Sequence, residues 1–303
     1  MNPEKFNFER EKNDSEIKEA FTREQADVFL ENIDFVKDEE IFEINPENPK
    51  DEIPVFFSPG WGVEKADQSM KETLETIANE NRKVITSSFS REEKIIENKD
   101  TEDIPIAELQ KALTIIDSIE KKGIEKIDAI GHSEGGLNLA IAASLFPEKF
   151  RNIVFIAPAG MMGKNNSYLD LIKRFTIDEG INEIKHRKDS NINSLYNYLK
   201  NIVKYTIKNP SLAYKETREV NNADIFEITK SLKKQGVGVG LVCGANDKVF
   251  PIEEIMKNAN EDNIDYFVST KGHHGSFATN KEHVLLAEDL LTNMARKKES
   301  KPI

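Results

Sequence analysis

The stretch KIDAIGHSEGGLNLAIAASLF, residues 126–146, raises the question on which the fold turns. An apolar run ending at Gly131 gives way to a polar triplet, His132-Ser133-Glu134, and then to small and apolar residues with helical character. A connecting turn needs one glycine or two. Here Gly131, Gly135 and Gly136 surround Ser133, and glycine serves where a side chain would collide with passing backbone. The spacing predicts a buried strand, a sharp turn carrying Ser133, and a helix lying close to its neighbours.

Outward from this turn, apolar runs recur along the chain. They are IPVFFS (53–58), KVITSSF (83–89), NIVFIAPAG (152–160), VGVGLVCG (237–244) and DYFVST (265–270), with a short alternating EIFEI (40–44) ahead of the turn NPENPK. Their near-continuous apolar character predicts strands covered on both faces, as in a parallel sheet. Helical patterns lie between them. Leu109, Leu113, Ile116 and Ile119 follow Ile106 at three- and four-residue steps behind a cap at Asp103 and Pro105, and Leu286, Leu290, Leu291 and Met294 mark a last helix. Alternating strand and helix predicts an α/β fold with a mostly parallel central sheet flanked by helices. Residues 161–235 break the alternation with helical stretches alone, among them one in which Leu195, Leu199, Ile202, Val203 and Thr206 share a face. That is too long for a loop. It is either a lid over a site or an extra structural subdomain, and its place after the carboxyl end of a strand favours a lid, because open α/β sheets bind ligands at that edge.

Composition bounds the function. The 303 residues are enough for a sizeable core. A net charge of −12 argues against nucleic acid and anionic membrane surfaces as partners. The first residues carry no apolar signal segment and no apolar run is long enough to span a membrane, so a cytoplasmic protein is expected. The single cysteine, Cys243, cannot form an internal disulfide and reads as a buried, inert thiol. No dinucleotide, P-loop or metal-ligand spacing is present: GVGVG (236–240) lacks a following helix, and His273-His274 alone is a poor metal site. No cofactor and no metal are expected.

Gly131-His132-Ser133-Glu134-Gly135 fits G-x-S-x-G, in which a strained strand-to-helix turn lifts a serine hydroxyl above the sheet edge. The helix amino end beside it offers unpaired N–H groups to an oxyanion. A serine needs a base. Of the five histidines, His132 is expected to point away from the site, and His186 and His283 to be structural or solvated. His273 and His274 remain, flanked by glycines in the loop after the last strand. A base needs an acid to hold its tautomer, and Asp247 ends a strand in GANDKVFP at the same predicted edge.

With GHSEGG, GANDKVFP and GHHGSF in this order, the chain resembles the α/β-hydrolase superfamily over about residues 53 to 294. The resemblance implies Ser133 as nucleophile, Asp247 as acid and His273 or His274 as base. His274 is preferred because family members carry an apolar residue shortly after the base, here Phe277, before a helix opening like NKEHV; His273 follows Gly272, as the base often does. The oxyanion hole would take its backbone donors from Glu134 and from Trp61, in SPGWG, where Pro59 stands for the family's usual histidine. The implied organisation is a charged segment 1–50, an α/β-hydrolase core 51–160 and 236–303, and a helical cap 161–235. The implied activity is hydrolysis of an ester or thioester of a small to medium acyl group through an acyl-enzyme. An acyltransferase, or a non-catalytic ligand-binding protein on the same fold, is the alternative, and the oligomeric state is open.

Overall fold

The computed structural model describes residues 21–63, 68–89, 106–162, 168–185, 203–276 and 281–300. The predicted cap at Asp103 and Pro105, the shared face of Leu195, Leu199 and Ile202, His186 and Phe277 lie outside them. Seven strands form one sheet: β1 (Ile41–Ile44), β2 (Asp51–Ser58), β3 (Arg82–Ser87), β4 (Ile127–His132), β5 (Phe150–Ile156), β6 (Gly238–Gly244) and β7 (Tyr266–Thr270). Their order is β1-β3-β2-β4-β5-β6-β7. Only β1 pairs antiparallel, against β3; every other pairing is parallel.

The chain reverses direction across the sheet between β2 and β4. After β2 it steps outward to β3, and from β4 it winds the other way through β5, β6 and β7. Such a switch point opens a crevice at the carboxyl ends of the two central strands. Ser133 follows β4 and the loop with Pro59, Gly60 and Trp61 follows β2, so the topology sets both at the crevice.

Two apolar layers cover the sheet. On one face, α3 (Ile106–Lys121) and α4 (Glu134–Leu145) pack with Phe56, Ile85, Ala129, Phe155, Val239 and Leu241. On the other, α2 (Gln68–Ala78) and the last helix, Lys281–Glu299, pack with Val55, Val84, Ile130, Val154 and Val242. All of α4 except Ser144 is buried, and apart from Glu134, Asn138 and Ser144 its residues are apolar or glycine. The expectation that every strand is covered on both faces fails at β7. There Tyr266, Val268 and Thr270 are half-buried and Phe267 and Ser269 exposed, because β7 is the sheet's last strand. The sequence N-terminal to the sheet adds α1 (Arg23–Asn32), opened by a capping box of Thr22 and Gln25.

Between β5 and β6 the described residues form no strand and include α5 (Tyr168–Lys173), a π-helical turn at Arg174–Asp178, α6 (Glu179–Lys185), a helical turn at residues 203–208, and helices Pro210–Asn222 and Phe226–Lys234. No helix among the described residues is long and apolar enough to cross a membrane.

At the opposite edge of the sheet sits a charged network that periodicity did not announce. Asp128, fully buried in β4, accepts from Arg82 Nη2 at 2.7 Å, from Arg151 Nε at 3.0 Å and from Asn152 Nδ2 at 3.0 Å. Arg82, also fully buried, reaches Glu288 of the last helix at 3.3 Å and the carbonyl of Ile53 at 3.1 Å. One carboxylate thus joins β3, β4 and β5. Removing one member of a buried ion network strands the others without compensation. Asp128→Ala is therefore expected to cost about 3–5 kcal/mol, read as a lowered urea midpoint with an unchanged slope.

Candidate active site

The turn at Ser133 is built by close approach. Ser133 has φ 55° and ψ −123°, a conformation that a non-glycine residue holds only where its surroundings enforce it. Three backbone bonds do so: Ser133 N–H donates to Ile156 O at 3.0 Å, and Ser133 O accepts from Gly136 N and Ala159 N at 3.0 Å. The glycines are there because nothing larger fits. A Cβ on Gly131 would stand 2.7 Å from Gly136 Cα, and one on Gly135 would stand 2.2 Å from Ser58 O and 2.4 Å from Pro59 O. A Cβ on Gly60 would lie 3.1 Å from His132 Nδ1 and 3.2 Å from Ser133 Cβ. The β2 loop is pressed against the serine turn, so Trp61 follows a residue in near contact with Ser133.

Above this turn the two loops from β6 and β7 meet. His274 Nε2 lies 3.0 Å from Ser133 Oγ, and His274 Nδ1 lies 2.9 Å from Asp247 Oδ2. All three residues are buried. Asp247 Oδ1 accepts the N–H groups of Val249 and Phe250 at 2.8 and 2.9 Å, which orients the carboxylate toward the imidazole. Of the two adjacent histidines, His274 reaches both Ser133 and Asp247. His273 instead places Nδ1 3.3 Å from Glu179 Oε1. The rings of Phe250 and Phe175 stand edge-on to His274, with centroids 5.2 and 6.4 Å away.

His132 does not point away from this cluster as expected. It is the last residue of β4, and its buried ring sits 5.1 Å from that of His274. Burial, then the proximity of His274, pushes its pKa down to about 3, so it is a neutral packing element. His283 is buried against Gly272, with burial lowering its pKa. Cys243 is buried in β6 and its thiol is pushed up by desolvation and by Asp247, which keeps it protonated and unreactive.

Reading the sequence missed a second polar system behind Ser133. Lys111 of α3, buried, donates to Glu134 at 2.7 Å, to Glu216 at 2.8 Å and to Glu108 at 3.2 Å. Glu216, on helix Pro210–Asn222, also accepts the indole N–H of Trp61 at 2.7 Å and the hydroxyl of Tyr205 at 2.6 Å. The side chains of Glu134 and Trp61 are thereby tied to one lysine–carboxylate pair. Trp61 packs edge-on against Tyr205 and Phe175, with centroids 5.4 and 5.8 Å away. The only signal in sequence was the i, i+3 pair of Glu108 and Lys111, which reads as a solvated pair on a helix face until the helix is seen to be buried.

Carboxylates outnumber the lysine in this cluster, and two of them have raised pKa values. Burial, reinforced by Glu134 against the pull of Lys111, keeps Glu108 well above the usual carboxylate range. Burial likewise raises Glu219 to about 7, against the N–H of Glu108 and the charge of Lys111.

A profile for the alpha/beta hydrolase fold matches residues 81–178 of the chain. No curated protein matches it by sequence. Among solved structures, a serine hydrolase from Cycloclasticus zankles is similar with a TM-score of 0.60 at 14% identity, covering 87% of this chain and 98% of that one. A carboxylesterase of the thaumarchaeon Nitrososphaera gargenis gives 0.58 at 15%, covering 86% and 98%. A bromoperoxidase from Bacillus anthracis gives 0.55 at 15%, covering 84% and 95%. At these identities the likeness is one of fold.

Two expectations test this construction. Gly135→Ala drives a methyl into backbone oxygens, so it should lower the melting temperature by several degrees and by more than Gly123→Ala, whose methyl meets nothing and which costs about 1–2 kcal/mol for its φ of 64° alone. Glu219, with its folded pKa raised above the ordinary glutamate value of 4.5, binds more protons folded than unfolded. Its contribution is complete below about pH 4.5 and disappears as pH rises through about 7. Glu219→Gln should flatten that part of the stability profile, measured by urea unfolding from pH 4.5 to 8.

Proposed function

We propose that this chain, which has the α/β-hydrolase fold, is a serine hydrolase acting on an ester or thioester of a small to medium acyl group. The observation that carries the reading is the unbroken relay from Asp247 through His274 to Ser133 at 2.9 and 3.0 Å. In this reading Ser133 Oγ attacks the acyl carbonyl while His274 Nε2 accepts its proton. Asp247 holds Nδ1–H and stabilises the imidazolium. The oxyanion rests on the backbone N–H groups of Trp61 and Glu134, the latter at the amino end of α4, where first-turn amides have no intrahelical acceptor. His274 then returns the proton to the leaving alcohol or thiol. Water, activated by the same imidazole, releases the acid.

The helices between β5 and β6 act as a cap. They supply Phe175 beside His274 and Tyr205 beside Trp61, aromatic surface suited to an apolar acyl chain. The lysine–carboxylate system keeps the two oxyanion donors on rigid supports, which is what preorganised charge stabilisation needs. A serine at the elbow supports acyl transfer over the chemistries that use an aspartate there.

A fluorophosphonate probe should label the wild-type protein at one site, Ser133, located by peptide mass. Ser133→Ala should lose the label, and Asp247→Asn should lower kcat for a short-chain aryl ester by about 10³–10⁴-fold. A folded wild-type protein that ignores the probe would instead favour a ligand-binding role. Turnover that appears only when an acceptor alcohol or thiol is added would assign the chain as an acyltransferase.

A further inference from the structure

Glu179 is a buried acid that the relay does not use. It opens α6, directly after the π-helical turn Arg174–Asp178, a wide turn that recurs where a helix re-aims side chains at functional sites. Its carboxylate reaches out of the helical segment to both loops of the site. Oε1 accepts from His273 Nδ1 at 3.3 Å and from Gly275 N–H at 3.1 Å. Oε2 accepts from Lys248 N–H at 3.3 Å and from Asn182 Nδ2 at 3.3 Å. Asn182 Nδ2 also donates to Asn246 O at 2.6 Å.

The pattern in these partners is their position in sequence. His273 and Gly275 are the residues before and after His274, and both bond to one oxygen. Lys248 and Asn246 flank Asp247, one held by the other oxygen and one through Asn182. A single carboxylate therefore fixes the loop of the imidazole from both sides and sets it against the turn of its acid partner. Fully satisfied buried networks of this kind hold one geometry.

We propose that Glu179 is the positioning residue of this site: it holds His274 and Asp247 in register, and its negative charge favours the imidazolium that forms at His274 during acyl transfer. This rests on the assignment of Ser133 and His274 made above. The other titratable groups facing the imidazole are Asp247 from the turn after β6, His273 from its own loop, His132 from the end of β4 and, beyond His273, His283 from the last helix. His132 and His283 have lowered pKa values and add no positive charge above neutral pH. Glu179 is held at about 2, burial being outweighed by His273, His274 and the Gly275 amide, so it is charged at neutral pH. The sequence of steps it influences is a proton transfer only: the proton leaves Ser133 Oγ, resides on His274 Nε2, and returns to the leaving group.

The test compares wild type, Glu179→Gln and Glu179→Asp on a short-chain aryl ester and by NMR titration of the histidine Cε1–H resonances, with His274 assigned through His274→Asn. Glu179→Gln should lower kcat about tenfold with KM within about twofold, and move both the acid limb of kcat/KM and the His274 titration about one pH unit toward acid. Glu179→Asp keeps the charge but shortens the reach, so kcat should fall while the limb stays in place. A Gln variant with wild-type kcat and limb overturns the proposal. So does one that loses activity only in step with melting temperature and leaves the limb unmoved. Should the Gln variant not fold, Glu179→Asp decides: unchanged kcat overturns the positioning role. The NMR titration needs no turnover. If wild type ignores the fluorophosphonate probe, the hydrolase assignment fails, while the shift of His274 still reports on Glu179.

Discussion

Everything at the site depends on how closely β4, α4 and the loop after β2 approach one another. Ser133 can hold its left-handed backbone only because Gly131 and Gly136 touch backbone to backbone and because Gly135 lies against the carbonyls of Ser58 and Pro59. The contact leaves no room for a methyl group. It also does two further things. It seats Gly60, and with it Trp61, beside the serine, and it starts a helix buried except at Ser144 directly after Ser133. Strain at one residue is sustained by packing contributed from three elements.

On that base the helical segment between β5 and β6 is tied into the site by its polar side chains. It carries two buried carboxylates that bond to opposite halves of the site. Glu216 holds the indole of Trp61 and shares Lys111 with Glu134. Glu179 holds the loops of His274 and Asp247. Neither carboxylate could be left bare in so dry a place, since an unpaired buried charge costs far more than its contacts return. Their charge is met by amides, hydroxyl, indole and a single lysine, and where donors run short the pKa values of Glu108 and Glu219 rise. The same segment brings Phe175 to the edge of the imidazole. Polar anchoring and apolar lining therefore come from one part of the chain.

The strands, their order of appearance and the serine turn were legible in the sequence because they rest on local patterns. Apolar runs of strand length mark β2 through β6, and glycines flanking a serine mark a turn where backbone crowds. Three features were not. The exposed residues of β7 look like a buried run until its place as the last strand of the sheet is known. Asp128 interrupts an apolar strand with a charge whose partners, Arg151, Asn152 and Arg82, lie 23, 24 and 46 residues away. Glu179 and Glu216 sit in a highly charged helical region where a glutamate is ordinarily solvated.

What the sequence by itself determined is a parallel α/β sheet with Ser133 on a crowded strand-to-helix turn, and Asp247 and a histidine pair on later loops at the same edge. These follow from periodicity and backbone sterics, which act between residues near in sequence. Only the tertiary structure decided between His273 and His274 as the ring that meets Ser133 and Asp247, brought His132 beside that ring, and recruited Lys111, Glu179 and Glu216. Those outcomes depend on hydrogen bonds of about 3 Å and a ring contact of 5.1 Å between groups far apart in sequence, and such distances are set by how helices and loops pack, for which no short stretch of chain carries a signal.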